Sequence, residues 1–326
     1  LLHLQKNKYF LNMKIKIQKF FRSLIKLLLP VIYKILISLK LNRRVINFLS
    51  EKAYKSNEKY NFKEHIENLL KNNKITALDV GAQGGFNSDN FFPNQYNQYF
   101  QSILVEPIKD EANKFKEQKF VINKGLWSNK EKKNLYVLDN RLGSSSMYMP
   151  NEEAFDLHRI KKKDFQNYKV TRTIQIDCDT ISNQLSELNI KMLDYLKIDT
   201  QGAELEILKG IGSFRPLFLK IEAHFFSIYK NTPSWHELVN FLYEMNYVLI
   251  DWKGIGNHST RIPAEVDMIF IPNFNNDSGK ELIKANIEKF TSLMLIFGQL
   301  KVLQVILKRF KISDNKIEQL EDCYFN

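Results

Sequence analysis

Seven apolar runs of strand length, separated by stretches of helical character, constrain this chain more than any other feature. They are ITALDV (75–80), SILVE (102–106), KFVIN (119–123), LDYLKID (193–199), PLFLKIE (216–222), YVLIDW (247–252) and VDMIFIP (266–272). Such runs, alternating with helical segments at about 107–117, 202–211 and 234–246, read as an open, mostly parallel sheet layered between helices. Ser234 followed by Glu237 forms a capping box at the start of the last of these helices. With 326 residues, 44% of them apolar, the chain has material for one large α/β domain and an appendage.

The pattern breaks between the third and fourth runs. NLYVL (134–138) and TRTIQI (171–176) read as strands flanking an insertion at about 139–170, whose segment 151–168 is densely charged. Loops of that length in a compact domain usually carry function. The Gly143–Ser146 loop and the 151–168 segment are therefore expected to shape an acceptor site. The organisation expected is a leader over 1–50, a main α/β domain over 51–275 and a helical tail over 276–326. The amphipathic stretch at 280–310 is expected to pair with the leader.

The charge is concentrated in that leader. Residues 1–50 hold eleven Lys or Arg and no acid, leaving 37 basic against 36 acidic residues in the other 276. A near-neutral body argues against a nucleic-acid surface, despite a formal net charge of +12. Wound as a helix, residues 14–44 gather Lys16, Lys19, Arg22, Lys26, Lys34, Lys40 and Arg44 into an arc of about 120°. Phe20, Phe21, Leu24, Leu28, Val31, Ile32, Ile35 and Leu39 occupy the other side, and Pro30 kinks or divides the helix. Lys26 and Lys34 interrupt any run near the ~20 apolar residues a membrane span needs. No small-residue cleavage site follows, so a signal peptide is disfavoured. The pattern suits a basic amphipathic helix lying on an anionic membrane, or an arm docked on the body or a second subunit. Met13 is an alternative start. Two cysteines, Cys178 and Cys323, form neither a disulfide framework nor a zinc motif, which suits a reducing, cytoplasmic setting with peripheral membrane contact.

The first run enters a glycine turn, ITALDVGAQGGF (75–86). Asp79 closes the strand, Gly81 permits the bend, and Gly84 and Gly85 let backbone approach a ligand. A dinucleotide fingerprint needs glycine at 83 and 86, where Gln83 and Phe86 stand, and the Gly-Lys-Ser/Thr of a P-loop is missing. Glu106 ends the second run, 21 residues after Gly85. An acid there accepts hydrogen bonds from both ribose hydroxyls. Glycine turn plus ribose acid suits an adenosine without a pyrophosphate bridge, namely S-adenosylmethionine, its ammonium meeting Asp79 and its carboxylate the amides of the turn. Pro93 stands where the following helix would continue, predicting a short or distorted one.

Over residues 75–255 the chain resembles the FkbM family of S-adenosylmethionine-dependent methyltransferases. The segments are LDVGAQGGF, LVEP, NKGLWS, GSSSMY, IDCDTI, LDYLKIDTQGAELEILKG and KIEAHF, in that order. The resemblance implies a class I methyltransferase (Rossmann-like), doubly wound α/β sheet of seven strands with the last antiparallel. It also implies methyl transfer to a hydroxyl, often on a sugar of a surface glycan or on a secondary metabolite. Carried over by residue, Asp79, Gly81 and Gly85 would line the cofactor and Glu106 would hold the ribose. Asn123, Leu126 and Trp127 would flank the adenine. Gly84, Gln201 and Pro93 depart from the family pattern.

A sugar hydroxyl is a weak nucleophile and gains from a general base as well as from positioning. Asp199, at the end of the strand beside the first, is the expected base. Glu204 opens the next helix, where catalysis competes with stabilising the helix start. Glu222 and His224, two apart on a strand, share a side and could converge with Asp199 as base and orienter, or hold a divalent ion; the assignment adopted is His224 as catalytic, with no metal. The alternatives are a non-catalytic cofactor-binding partner of glycan enzymes at the membrane, and a nicotinamide oxidoreductase, which the broken fingerprint disfavours.

Overall fold

The computed structural model describes residues 62–71, 73–88, 94–156, 160–253 and 265–314. In chain order its elements are α1 (Lys63–Leu70), β1 (Ile75–Val80), a three-ten helix (Asn94–Tyr99), β2 (Phe100–Val105), α2 (Lys109–Ala112), β3 (Phe120–Ile122), β4 (Gly125–Leu126) and β5 (Glu131–Val137). There follow β6 (Arg172–Asp179), α3 (Ile181–Glu187), β7 (Tyr195–Ile198), α4 (Glu204–Lys209), β8 (Phe218–His224), α5 (Trp235–Glu244), β9 (Tyr247–Lys253), β10 (Glu265–Pro272), α6 (Asp277–Ala285), α7 (Ile287–Ile296) and α8 (Leu300–Phe310).

All seven apolar runs become strands of one sheet, ordered β3-β2-β1-β7-β8-β10-β9. β10 alone runs antiparallel, to both β8 and β9. The order reverses direction between β1 and β7, the switch point outside which ligands bind in open α/β sheets. This is the expected Rossmann-like methyltransferase sheet. Its register explains why the runs read as apolar on both faces. Ile103, Leu78, Leu196 and Leu219 lie side by side across one face, and Val105, Val80, Ile198 and Ile221 form the next row. Every one of these is at most 1% exposed. Helices α3, α4 and α5 cover them through Leu185, Ile207, Leu208 and Leu242. Each such fully buried side chain contributes about 1.5–3 kcal/mol.

The opposite face has an aromatic base and a charged middle. Phe100, Tyr195, Phe218 and Phe297 pack together, with Phe218 and Phe297 stacked at 4.6 Å. Phe297 directly follows α7, whose residues from Lys289 to Ile296 are all buried. The one cation among them, Lys289, is neutralised by Asp194 at 2.7 Å. Lys63–Ile312 form one compact unit, so the three helices beyond residue 276 belong to the same body as the sheet. The leader over 14–44, with which the 280–310 stretch was expected to pair, lies outside the described residues, as does Pro93. The segment reaching β2 is a three-ten helix where a longer α-helix is usual in such folds.

The insertion begins and ends on a second sheet. The strands expected at its edges pair antiparallel, β5 with β6, and β4 joins β6 on the other side. Between them, Phe155 and Tyr168 gather with Leu138, Ile228 and Tyr229 into a satellite core. The loop after β8 thereby anchors the insertion beside the carboxyl ends of the central strands. Among the described residues no helix is long and apolar enough to cross a membrane.

Candidate functional site

A cleft of about 630 Å³ opens at the carboxyl ends of β1, β2 and β7. Gly81 leaves β1 at φ +82°, and a Cβ there would come 1.9 Å from the Asp199 carbonyl oxygen. Only glycine both adopts that angle and lets the ends of β1 and β7 approach so closely. Its neighbours in the lining include Glu106, Ile108, Leu126, Gly143, Met147 and Asp199. The cleft therefore has an apolar side, a backbone turn and two carboxylates.

Glu106 directly follows β2 and is 4% exposed. One of its oxygens accepts the Ile108 N–H at 2.8 Å. Burial pushes its carboxyl up to about 7, although that N–H and Lys114 pull it down. The carboxyl is thus both costly to ionise and, through its second oxygen, suited to a ligand that donates hydrogen bonds.

Asp199 directly follows β7 with its side chain 37% exposed. It accepts from Gln201 Nε2 at 3.2 Å and lies 3.9 Å from Lys197 Nζ. Lys197 is buried between two acids, since its ammonium also meets Asp79 at 3.0 Å. Asp79 is fully buried and accepts the Asn87 N–H at 2.8 Å, which closes the glycine turn on β1. It is absent from the cleft lining, so its carboxylate braces the floor where an ammonium contact was expected. A short acid after an apolar strand reads the same in either role.

Gly84, Gly85, Asn123 and Trp127 are likewise absent from the lining. Gly85 N–H donates to Ala82 at 2.9 Å within the turn. Asn123 Nδ2 donates to the Glu106 carbonyl at 2.8 Å, so it sets the backbone that carries the acid. Trp127 is buried, with Lys133 4.1 Å above its ring. Gly81, Glu106 and Leu126 are the expected cofactor residues that line the cleft, and Asp199 the expected catalytic one.

Glu204 is buried at the start of α4, and its carboxylate turns back to the preceding loop. Its carboxylate accepts Thr200 N–H (2.9 Å), Thr200 Oγ1 (3.0 Å) and Gly202 N–H (3.0 Å), tying down the loop after Asp199. His224 lies at the end of β8, two strands from β1, and lines a smaller pocket with Glu222 and Glu204.

The residue that sequence reasoning treated only as a departure is Gln201. It sits at φ +61°, a left-handed conformation uncommon outside glycine and asparagine. Its Nε2 donates to Glu222 (2.6 Å) and Asp199, while its Oε1 faces the Tyr229 hydroxyl at 2.9 Å. Tyr229 shares that proton with the Ser144 carbonyl at 2.7 Å, and Ser146 Oγ donates to the Gln201 carbonyl at 2.7 Å. Gln201 thus fastens the insertion to the cleft edge. Gly143 and Ser145, from the loop singled out for the acceptor, line the cleft itself.

A family model described as "Methyltransferase FkbM domain" matches residues 79–249, just over half of the chain and every residue that lines this cleft. No curated protein matches it.

Proposed function

Because the chain belongs to the FkbM methyltransferase family, we propose that it moves the methyl group of S-adenosylmethionine to a hydroxyl of a glycan sugar or related metabolite. The observation that carries this is the pairing of Glu106 with the Gly81 turn in one cleft at the switch point of the sheet. Glu106 accepts the ribose hydroxyls; Ile108, Leu126 and Met147 supply an apolar surface for the base. Gly81 exposes backbone near the sulfonium end.

Asp199 then faces the acceptor. Bound in the cleft, S-adenosylmethionine would supply a methyl carbon for in-line displacement by the acceptor oxygen, and Asp199 would take the hydroxyl proton. Gln201 and Lys197 fix its carboxylate from two sides. Glu204 acts one step away, by holding the loop that presents Asp199.

The sequence of residues 14–44 supports a peripheral position at the cytoplasmic face of an anionic membrane, where lipid-linked glycans are built. Calorimetry with S-adenosylmethionine and NAD tests the cofactor; heat with NAD alone sinks the reading. Transfer of a labelled methyl group to a glycan pool tests the reaction. Cofactor heat without any transfer marks a non-catalytic binding partner instead.

A further inference from the structure

The antiparallel register of β8 and β10 sets Glu265 opposite His224 and Asp267 opposite Glu222. Glu222 and His224 alternate with Ala223, so all four side chains share one face of the sheet. Asp267 is engaged by Lys220 at 3.1 Å. The other three bring one ligand atom each to within 4.8 Å of one another.

His224 is the informative member. Its side chain is 3% exposed, and its Nε2 has no hydrogen-bond partner among the described residues. That nitrogen is aimed between Glu222 Oε2 at 3.7 Å and Glu265 Oε2 at 4.0 Å, beyond hydrogen-bond reach of either. A buried nitrogen left unbonded costs about 1–3 kcal/mol. Two carboxylates converging on it add repulsion unless a positive charge sits among them. Glu222 is further surrounded by Asp199, Glu204 and Asp267, which add to the negative charge around that nitrogen.

We propose that Glu222, His224 and Glu265 bind one divalent first-row transition cation of the Mn²⁺ or Zn²⁺ type. One imidazole and two carboxylates match the donor preference of those ions better than that of Mg²⁺ or Ca²⁺, which favour oxygen alone. Bonds of about 2.0–2.2 Å require the three ligands to close in slightly. Glu265, with half its side chain exposed, has the freedom to do so. Gln201 already orients Glu222 by its 2.6 Å hydrogen bond, as an outer partner of a metal ligand does. Three protein ligands leave coordination positions free, and the small adjoining pocket reaches past Gly202 and Trp235. Gln201 hydrogen-bonds both Glu222 and Asp199, so an ion here would lie one side chain away from the base and could order the acceptor side of the site. That use of the ion rests on the methyltransferase reading; its binding does not.

The test is titration of the chelator-treated full chain with Mn²⁺, following loss of the free-ion signal by electron paramagnetic resonance. One Mn²⁺ per chain with Kd below about 100 μM is expected, displaced by Zn²⁺ and weakened at least ten-fold in both H224A and E265Q. Glu265 lies at an exposed strand end, so its variant keeps the fold. Calorimetry with S-adenosylmethionine checks the cleft of each variant. No Mn²⁺ binding at millimolar concentration, or equal affinity in the parent and both variants, overturns the proposal. Binding of Mn²⁺ by a chain that gives no heat with S-adenosylmethionine supports the site and overturns the methyl-transfer reading.

Discussion

Replacing Glu106 by glutamine should make the protein more stable and a worse cofactor binder, and the two effects have separate physical origins. An ordinary glutamate titrates at 4.5, whereas burial holds Glu106 at about 7. Below pH 4.5 both the folded and unfolded chains keep the proton, so nothing is at stake. Between those values the unfolded chain gives up its proton while the folded chain retains it, so stability falls as pH rises. Above pH 7 the penalty is complete. At about 1.4 kcal/mol per unit the ionised carboxylate costs about 3 kcal/mol at pH 8 and about 1 kcal/mol at pH 5. The acid is almost entirely buried, so solvent screening removes little of this.

Glutamine escapes the penalty and can still accept from Ile108. Urea denaturation of both proteins at the two pH values should give a stability difference, E106Q minus parent, that grows by about 2 kcal/mol from pH 5 to pH 8. Any pH-independent effect of the substitution cancels in that comparison. The amide offers one acceptor oxygen where the carboxylate offers two, and it carries no charge. Affinity for S-adenosylmethionine at pH 8 should therefore fall about 10- to 100-fold by calorimetry. In the parent, affinity should also decline as pH drops below 7, because binding must first expel the proton. A stability difference that does not change with pH would refute the electrostatic argument, and unchanged affinity would remove Glu106 from the ribose.

Asp199→Asn should keep cofactor affinity within about three-fold and lower turnover by about 10²- to 10⁴-fold, the range of a lost general base; loss of binding instead would make Asp199 a cofactor residue. Lys197→Met strands the fully buried Asp79 and should cost about 3–5 kcal/mol in urea denaturation at pH 7; a loss below about 1 kcal/mol would show that the pair contributes little to the floor of the cleft. The full chain should co-sediment with anionic vesicles in a salt-sensitive manner, whereas a chain truncated to begin at Glu51 should not; equal sedimentation of both would end the membrane reading.

The sheet was legible because burial on both faces leaves a direct trace in composition. Ile103, Leu78, Leu196 and Leu219 form one row across it, and each belongs to an apolar run flanked by turn residues or a helix. Ends of strands were legible too, which is why Asp199 and Glu106 could be placed at the switch point. What each acid does there was not. Asp79, Asp199 and Glu204 are all carboxylates near a strand end or helix start, yet one is sealed against Lys197, one faces the cleft and one holds a loop. That division depends on which neighbour reaches the carboxylate first, a matter of a few ångströms that sequence spacing does not encode.

Gln201 shows the same limit from the other side. Its left-handed backbone has no glycine or asparagine to announce it, and the groups it joins come from Asp199, Glu222 and Tyr229, on three different segments of the chain. The conformation is held because Ser146 binds its carbonyl and three side chains bind its amide. Strain of about 1–3 kcal/mol persists only under such reinforcement. An acid at this position would face Asp199 and Glu222 with a third negative charge, whereas the amide donates to both. A neutral donor here is thus what allows two carboxylates, Asp199 lining the cleft and Glu222 lining the smaller pocket, to stand on either side of one side chain.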